Sequence, residues 1–195
     1  AIQSIGAIQF DVQEIQADFV MADGHKWMLG PEGVALFYCR PELREKLSLH
    51  QYGWHMTDAF IEYDKEEWQP AKTARRFECG SPNMLGIHAL NASLSVLLDV
   101  SMKTVEKMVL ENSQYLFDCV NDSKQLVLLT DTNPGRFAGI TTFRHRDINN
   151  DRLFSALTEK GVMCAQRGGG IRFSPHFYTP KEKIEQAVRI AATTI

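Results

Sequence analysis

The sequence predicts an α/β fold, and three observations predict it. Two short apolar runs, 19–21 and 34–38, flank a connector rich in glycine and proline, which is typical of two strands joined by a turn. Two long segments, 83–100 and 102–120, carry apolar residues at helical spacing. From residue 124 onward, strand-like runs alternate with helical ones, as in a small α/β domain.

Turn and capping residues mark where the individual elements begin and end. Pro41 at a first helical turn predicts a helix to about Leu49, and residues 50–74 have no sustained period and predict a long loop. Asn83 and Asn150 are predicted to cap the helices that follow them. The later predicted elements are strands at 124–129, 140–143, 162–165 and 171–174 and helices at 151–160, stopped by Gly161, and 181–192.

This order of elements predicts two domains. The first spans residues 1–100 and ends with a long helix, and the second is a small α/β domain over residues 101–195.

The composition argues against several classes of partner. Net charge is −3 and acidic and basic residues are interspersed, so no nucleic acid is expected to bind. No apolar run reaches the length of a membrane span, so no membrane is expected either. The four cysteines lie far apart without a C-x-x-C pair, which predicts free thiols in the reducing cytoplasm and no metal site.

Lys26 is the first candidate for chemistry. It lies between His25 and Trp27 at the exit of the first strand, just before the turn Gly30-Pro31. Apolar surroundings disfavour the charged form of a lysine, so the neutral amine becomes available to form a Schiff base with a carbonyl. The alternative is an ordinary surface lysine whose stem covers the indole of Trp27.

The segment 75–83, RRFECGSPN, is the second candidate. Gly80-Ser81-Pro82 is turn chemistry that opens a helix, and a hydroxyl in such a turn suits an anion. The alternative is a capped helix start that binds nothing.

Arg172 is the third candidate. It alternates with Ile171 and Phe173 within a short strand, where an arginine is costly unless an anion partners it. Its planar fork suits a carboxylate, so a substrate carboxylate and a structural salt bridge to a glutamate are both open.

These segments resemble the class V aminotransferases, a branch of the fold-type I pyridoxal-phosphate enzymes. The resemblance lies in D-F-x-x-x-x-G-H-K-W-x-x-G-P-x-G over 18–33, R-F-E-x-G-S-P-N over 76–83 and the stretch 161–179. It implies that Lys26 forms a Schiff base with pyridoxal 5'-phosphate (PLP), that His25 contacts the cofactor phosphate, and that Gln3 contacts the phenolic oxygen. Asp23 departs from the pattern, because many relatives have a serine there.

The resemblance also assigns the other two candidates. It implies that Ser81 reaches the phosphate bound in the neighbouring subunit of a homodimer with shared active sites. It implies that Arg172 binds the α-carboxylate of a small amino-acid substrate.

The resemblance further implies a boundary inside a longer enzyme. Ala1 to Gly6 match the interior of a family motif, so the chain is expected to be a C-terminal half. Its first domain is then the C-terminal part of a fold-type I PLP-transferase large domain, followed by a small α/β domain. By itself the half-chain is expected to be inactive and to bind PLP weakly or not at all, because it lacks half of the cofactor site. The alternative is that the chain is complete.

The reaction is less constrained than the cofactor, because this fold hosts many chemistries. A cysteine desulfurase needs a nucleophilic cysteine on the loop before Arg172, and that loop is Gly168-Gly169-Gly170 here. Cys164 lies nearby, but in a predicted apolar strand, where a buried thiol is inert. We therefore expect an aminotransferase, or a related epimerase- or kynureninase-like lyase, in preference to a desulfurase.

Overall fold

A computed structural model describes residues 1–194, which form two compact units. The first unit comprises Ala1–Gly6 and Phe10–Asp99, and the second comprises Ala7–Gln9 and the chain from Val100 onward. Both units combine strands and helices, so the predicted α/β class is confirmed.

The first unit contains a two-stranded antiparallel sheet. Strand β1 (Phe19–Asp23) pairs with β2 (Ala35–Cys39), and Met21 lies opposite Phe37. Both strands are predicted from the sequence, and one face of β1 is buried through Val20 and Ala22, which are 8% and 2% exposed. Phe19, Met21 and Phe37 point to the same face of the pleat and are 42–56% exposed.

The helix that follows this sheet is shorter than the sequence predicts. Helix α1 spans Pro41–Arg44 and does not extend to Leu49. None of its residues is buried, and a short helix that buries no apolar side chain has little to stabilise it. Residues 50–74 form the predicted long loop, which contains one short 3-10 turn at Trp54–Met56.

Helix α2 (Met84–Val100) closes the first unit and begins where the sequence predicts. The Oδ1 atom of Asn83 accepts a hydrogen bond from the Gly86 N–H at 3.0 Å, which confirms the predicted cap. The side-chain amide of Asn83 also donates to the Gly33 carbonyl at 3.2 Å. This cap therefore joins the segment 76–83 to the segment 18–33.

The second unit contains a four-stranded antiparallel sheet and three helices. The strand order is β3-β4-β6-β5, so β4 and β6 are central. Apolar side chains of one sheet face, Phe143 and Ile171 among them, pack against the helices and form the core. The elements are β3 (Leu126–Leu128), β4 (Thr141–His145), β5 (Ala165–Arg167), β6 (Gly170–Phe173), α3 (Met102–Asn121), α4 (Asn150–Glu159) and α5 (Lys181–Thr193).

Several element boundaries in this unit differ from the prediction by one to three residues, and two of these differences have a clear physical cause. Asn149, and not Asn150, caps α4, because its side chain accepts from the Arg152 N–H at 2.9 Å. The strand that the sequence predicts at 162–165 is β5, which begins three residues later, at Ala165. The prediction rested on the apolar side chains of this run, but Met163 is 97% exposed and lies outside the sheet.

Two further properties bear on the expected environment. Within residues 1–194, no single helix is both long and apolar enough to cross a membrane; only α2 and α3 taken together, as a bent pair, reach that length and composition. The four cysteines are free. Over the same residues, no three His, Cys, Asp or Glu side chains cluster in a way that could hold a metal ion.

Candidate active site

The loop that carries Lys26 is fixed at both sides of the lysine. Trp27 is 5% exposed. Met28 is fully buried and packs in a cluster with Ala22 and Leu90. The Gly30 N–H donates to the Gly24 carbonyl at 2.8 Å and closes the loop. Its backbone is strained, because Leu29 adopts a left-handed conformation with φ of 59°. Lys26 is thus presented at the surface by a loop that is anchored in the core.

The immediate partner of Lys26 is a carboxylate. Its Nζ atom donates a hydrogen bond to Asp23 Oδ2 at 2.9 Å, and the two side chains are 32% and 35% exposed. The prediction of an apolar setting is therefore wrong at the amine itself. The apolar neighbours Trp27 and Met28 fix the backbone, while the side chain of Lys26 turns to Asp23.

The same contact acts on the acid. The hydrogen bond from Lys26 holds the pKa of Asp23 below its usual value, against the opposing effect of partial burial. The charges of Lys26 and His25 lower the pKa of Asp23 further. Asp23 is therefore ionised at neutral pH and presents a negative charge beside the amine.

Gln3 is joined to this loop through Trp27. The indole Nε1 donates to Gln3 Oε1 at 2.8 Å, so the amide oxygen of Gln3 faces the indole and its NH2 group points elsewhere. The backbone of Gly6 lies against the same loop, with φ of 92°, and a Cβ there would be only 2.3 Å from the Trp27 carbonyl oxygen. Close packing at Gly6 thus holds the segment of Gln3 beside Trp27.

His25 and Ser81 are both exposed. His25 precedes Lys26 in the loop, and Ser81 lies in the turn just before α2. The hydrogen bond from Asn83 to the Gly33 carbonyl connects that turn to the far end of the lysine segment. Gln3, His25, Lys26 and Ser81 thus all belong to the first unit.

Arg172 belongs to the second unit and lies on central strand β6. Its neighbours Ile171 and Phe173 are buried in the core, so Arg172 points to the opposite face, between Thr142 of β4 and Ala165 of β5. Its Nε atom is buried and has no hydrogen-bond partner among residues 1–194. A guanidinium with an unsatisfied donor is suited to an anion that the chain itself does not supply.

The hairpin before Arg172 is short. Arg167 pairs with Gly170, and the two residues between them, Gly168 and Gly169, have φ of 63° and 80°. Positive φ at both central residues defines a type I′ turn, for which glycine is favoured. Neither residue of this turn is a cysteine.

Cys164 lies immediately before β5. The prediction that it lies within a strand is therefore wrong. It is partly buried, and burial raises the pKa of its thiol. A raised pKa reduces the fraction of thiolate at neutral pH, and this makes the thiol of Cys164 a weaker nucleophile.

Two contacts of the lysine loop, the ion pair of Lys26 with Asp23 and the hydrogen bond from Trp27 to Gln3, were not predicted from the sequence. Asp23 was noted only as a departure from the family pattern, although its i, i+3 spacing to Lys26 is typical of an ion pair across one turn. The hydrogen bond from Trp27 to Gln3 spans 24 residues and leaves no local pattern by which it could be recognised.

Comparison with known proteins places these observations in a family. Residues 1–190 match the family model described as Aminotransferase class-V. The chain is 32% identical to the uncharacterized aminotransferase YcbU of Bacillus subtilis, over all of this chain and 50% of the relative. It is 30% identical to a probable cysteine desulfurase of Halalkalibacterium halodurans, over 94% of this chain and 47% of the relative. The chain therefore spans about half the length of the curated relatives it matches.

Solved structures agree on the fold. A C-DES variant with glycine covalently linked to its PLP cofactor superposes with a TM-score of 0.87 at 19% identity, over 99% of this chain and 50% of that one. At this identity the likeness bears on the fold alone. It confirms the expected fold-type I PLP-transferase architecture for this length of chain.

Proposed function

The chain belongs to the class V aminotransferase family, and from this premise we propose that it serves a PLP-dependent aminotransferase that acts on an amino acid. One observation carries the proposal: the amine of Lys26 stands on a loop anchored by Trp27 and Met28 and remains accessible. When bound, the cofactor supplies an electron sink for the bonds at the substrate's α-carbon. The role of the chain is to hold that cofactor and to orient the substrate.

The residues around Lys26 fit such a cofactor. Lys26 is proposed to attach it covalently through Nζ, and His25, exposed at the preceding position, to contact its phosphate. Gln3 is proposed to donate to its phenolic oxygen through the NH2 group, because the amide oxygen already accepts from Trp27. Asp23 is not assigned to the phosphate, since two anions repel each other.

Asp23 is proposed to hold the side chain of Lys26 before the cofactor is attached. In the structure the Nζ atom of Lys26 donates a hydrogen bond to the ionised Asp23 carboxylate. Lys26 must therefore leave Asp23 before its nitrogen can bond to the cofactor.

Arg172 is proposed to bind the α-carboxylate of the substrate. The support is its buried Nε without a protein partner and its place on the sheet face away from the core. A bidentate guanidinium–carboxylate pair would satisfy the donor and fix the orientation of the amino acid.

Ser81 is proposed to contact the cofactor phosphate of a second copy of the chain, within a homodimer. The support is its exposed position in the turn before α2 and the family resemblance of the segment 76–83. A two-fold interface would then complete both sites equally.

Amino transfer is preferred to desulfuration because of the hairpin before Arg172. The two-residue turn Gly168-Gly169 carries no thiol, and burial raises the pKa of Cys164, the cysteine that lies nearest to this turn in the sequence. Probable cysteine desulfurases are among the relatives, so the two activities must be measured side by side.

Two measurements test the proposal. Both use the longer enzyme of which this chain is expected to be the C-terminal half. Borohydride reduction of that enzyme with PLP, followed by peptide mapping, is expected to label Lys26. Lys26→Ala should abolish the label, and Lys103→Ala, which removes an exposed lysine of α3, should not. A label at another lysine would refute the site. A panel of amino acids and 2-oxo acids should show amino transfer, whereas sulfide release from L-cysteine that exceeds amino transfer would refute the reaction.

A further inference from the structure

A cavity of about 260 Å³ opens in the long loop of the first unit, between residues 54 and 69. The proposed function makes no use of it. Four aromatic rings line it: the ring of Phe60, over which Arg75 lies, and the three exposed rings of Trp54, Tyr63 and Trp68. Trp54 and Trp68 are each 43% exposed and Tyr63 is 78% exposed, so the rings present their surfaces to solvent instead of packing in the core.

Carboxylates share the wall of this cavity with the rings. Asp58, Glu62, Glu66 and Glu67 line it, and Lys65 is the one basic lining residue, which leaves a net charge of −3. None of these four carboxylates forms a salt bridge with another residue in the described chain. Their charges are therefore available to attract a cation that enters from solution.

The same loop already holds one cation on a ring. The guanidinium carbon of Arg75 lies 4.2 Å from the centroid of Phe60, and the Arg75 side chain donates to the Thr57 carbonyl at 2.9 Å. Trp54 and Tyr63 contact each other, with ring centroids 6.3 Å apart at an interplanar angle of 44°, and among the described residues no cation lies over either ring. A cation in the cavity that lies against the solvent-exposed surface of these rings would gain contacts of the kind that Arg75 already makes with Phe60.

We propose that this cavity is a binding site for a small cationic amine, either quaternary or protonated. Ring faces attract a cation through their negative quadrupole, and the surrounding carboxylates select for positive charge. An anion would be repelled, and a neutral apolar group would gain nothing from the four carboxylates. The volume is slightly below the range of drug-sized pockets, which fits a trimethylammonium-sized head group.

Choline and its neutral isostere 3,3-dimethylbutan-1-ol provide the test, because they differ in charge and hardly in shape. The chain has three tryptophans, so the indole N–H region of a ¹H–¹⁵N spectrum of the full chain contains three signals to follow. Choline is expected to shift the signals of Trp54 and Trp68 saturably, while that of the buried Trp27 stays in place and serves as an internal reference. The variants Trp54→Phe and Trp68→Phe assign the signals.

The neutral isostere should bind at least tenfold more weakly, a difference of about 1.4 kcal/mol. Glu66→Gln combined with Glu67→Gln keeps the rings and should weaken choline about threefold to tenfold. Glu159→Gln removes an exposed charge at the end of α4 and should leave the affinity unchanged. Equal affinity for the isostere, an unchanged affinity in the double Glu variant, or no shift at 100 mM choline would each overturn the proposal.

Discussion

Trp27→Phe tests whether the lysine loop and Gln3 are energetically coupled. The substitution removes the hydrogen bond from Nε1 to Gln3 Oε1 and shrinks a ring that is 5% exposed. The lost hydrogen bond is worth about 0.5–1.5 kcal/mol. The two lost ring carbons add roughly 1.6 kcal/mol, at about 0.8 kcal/mol for each buried carbon. We therefore expect the free energy of unfolding to fall by about 2–3 kcal/mol.

A double-mutant cycle isolates the hydrogen bond from the packing. Gln3→Ala should cost about 0.5–1.5 kcal/mol, because Gln3 is exposed and contributes little packing. In urea unfolding followed by circular dichroism, the double variant should cost about 1 kcal/mol less than the sum of the single variants. Trp68→Phe, in an exposed tryptophan, is the matched control and should stay within about 0.5 kcal/mol of the parent.

The cycle also has a functional arm. If Trp27 orients the amide of Gln3, both single variants should weaken PLP binding, and the double variant should be no weaker than Gln3→Ala. Strict additivity, within about 0.3 kcal/mol for stability and for cofactor affinity alike, would refute the coupling.

Three further perturbations probe the acid, the guanidinium and the hairpin. The hydrogen bond from Lys26 lowers the pKa of Asp23, so this contact stabilises the fold above the unfolded pKa of about 3.9 and is lost as pH falls through the folded value. The urea midpoint of Asp23→Asn should therefore lie below that of the parent at pH 7 and equal that of the parent at pH 2. A difference between the two midpoints that persists at pH 2 would contradict this assignment. Arg172→Lys removes the bidentate fork, so kcat/KM for the amino acid should fall about tenfold to a hundredfold, for a loss of roughly 1.5–3 kcal/mol, with the cofactor absorbance unchanged. Unaltered kinetics would make Arg172 a structural residue. A Cβ on Gly170 would lie 2.2 Å from the Phe143 carbonyl oxygen, so Gly170→Ala should cost about 1–3 kcal/mol in thermal unfolding. Gly80→Ala is the matched control and should cost less, because a Cβ there meets nothing within 4 Å and the backbone has no positive φ. Equal costs for the two variants would show that the pairing of β4 with β6 can shift to make room for the Cβ.

Local patterns predicted most of the fold. Helices α2 and α3 were found within a residue because their caps and apolar spacing are local signals. The position of β5 was missed because the run Val162-Met163 is apolar without being buried, and only the pairing with β6 determines where the strand lies. Two adjacent asparagines, Asn149 and Asn150, are equally good caps by type, so sequence alone did not separate them.

The sequence nominates candidate residues for the site, but it does not give their contacts. The motif identified Lys26 and its neighbours, because the family pattern is a run of adjacent positions. Whether the amine meets Asp23 or an apolar group depends on side-chain rotamers, which a pattern does not specify. The long-range pair of Gln3 and Trp27 depends on the packing of Gly6 against the loop, which is a property of the folded chain.

The preference for amino transfer depends on how firmly the hairpin is fixed. Gly170 fits against the Phe143 carbonyl oxygen only because it lacks a Cβ, and this contact sets the register of β6 against β4. With that register fixed and Gly168-Gly169 as the turn, the loop ends within two residues of Arg167. A thiol could enter this loop only through an insertion or through a substitution at a positive-φ glycine, and the second option is strained. The difference between the aminotransferase and the desulfurase chemistry of the family is therefore expected to depend on this hairpin more than on the lysine loop.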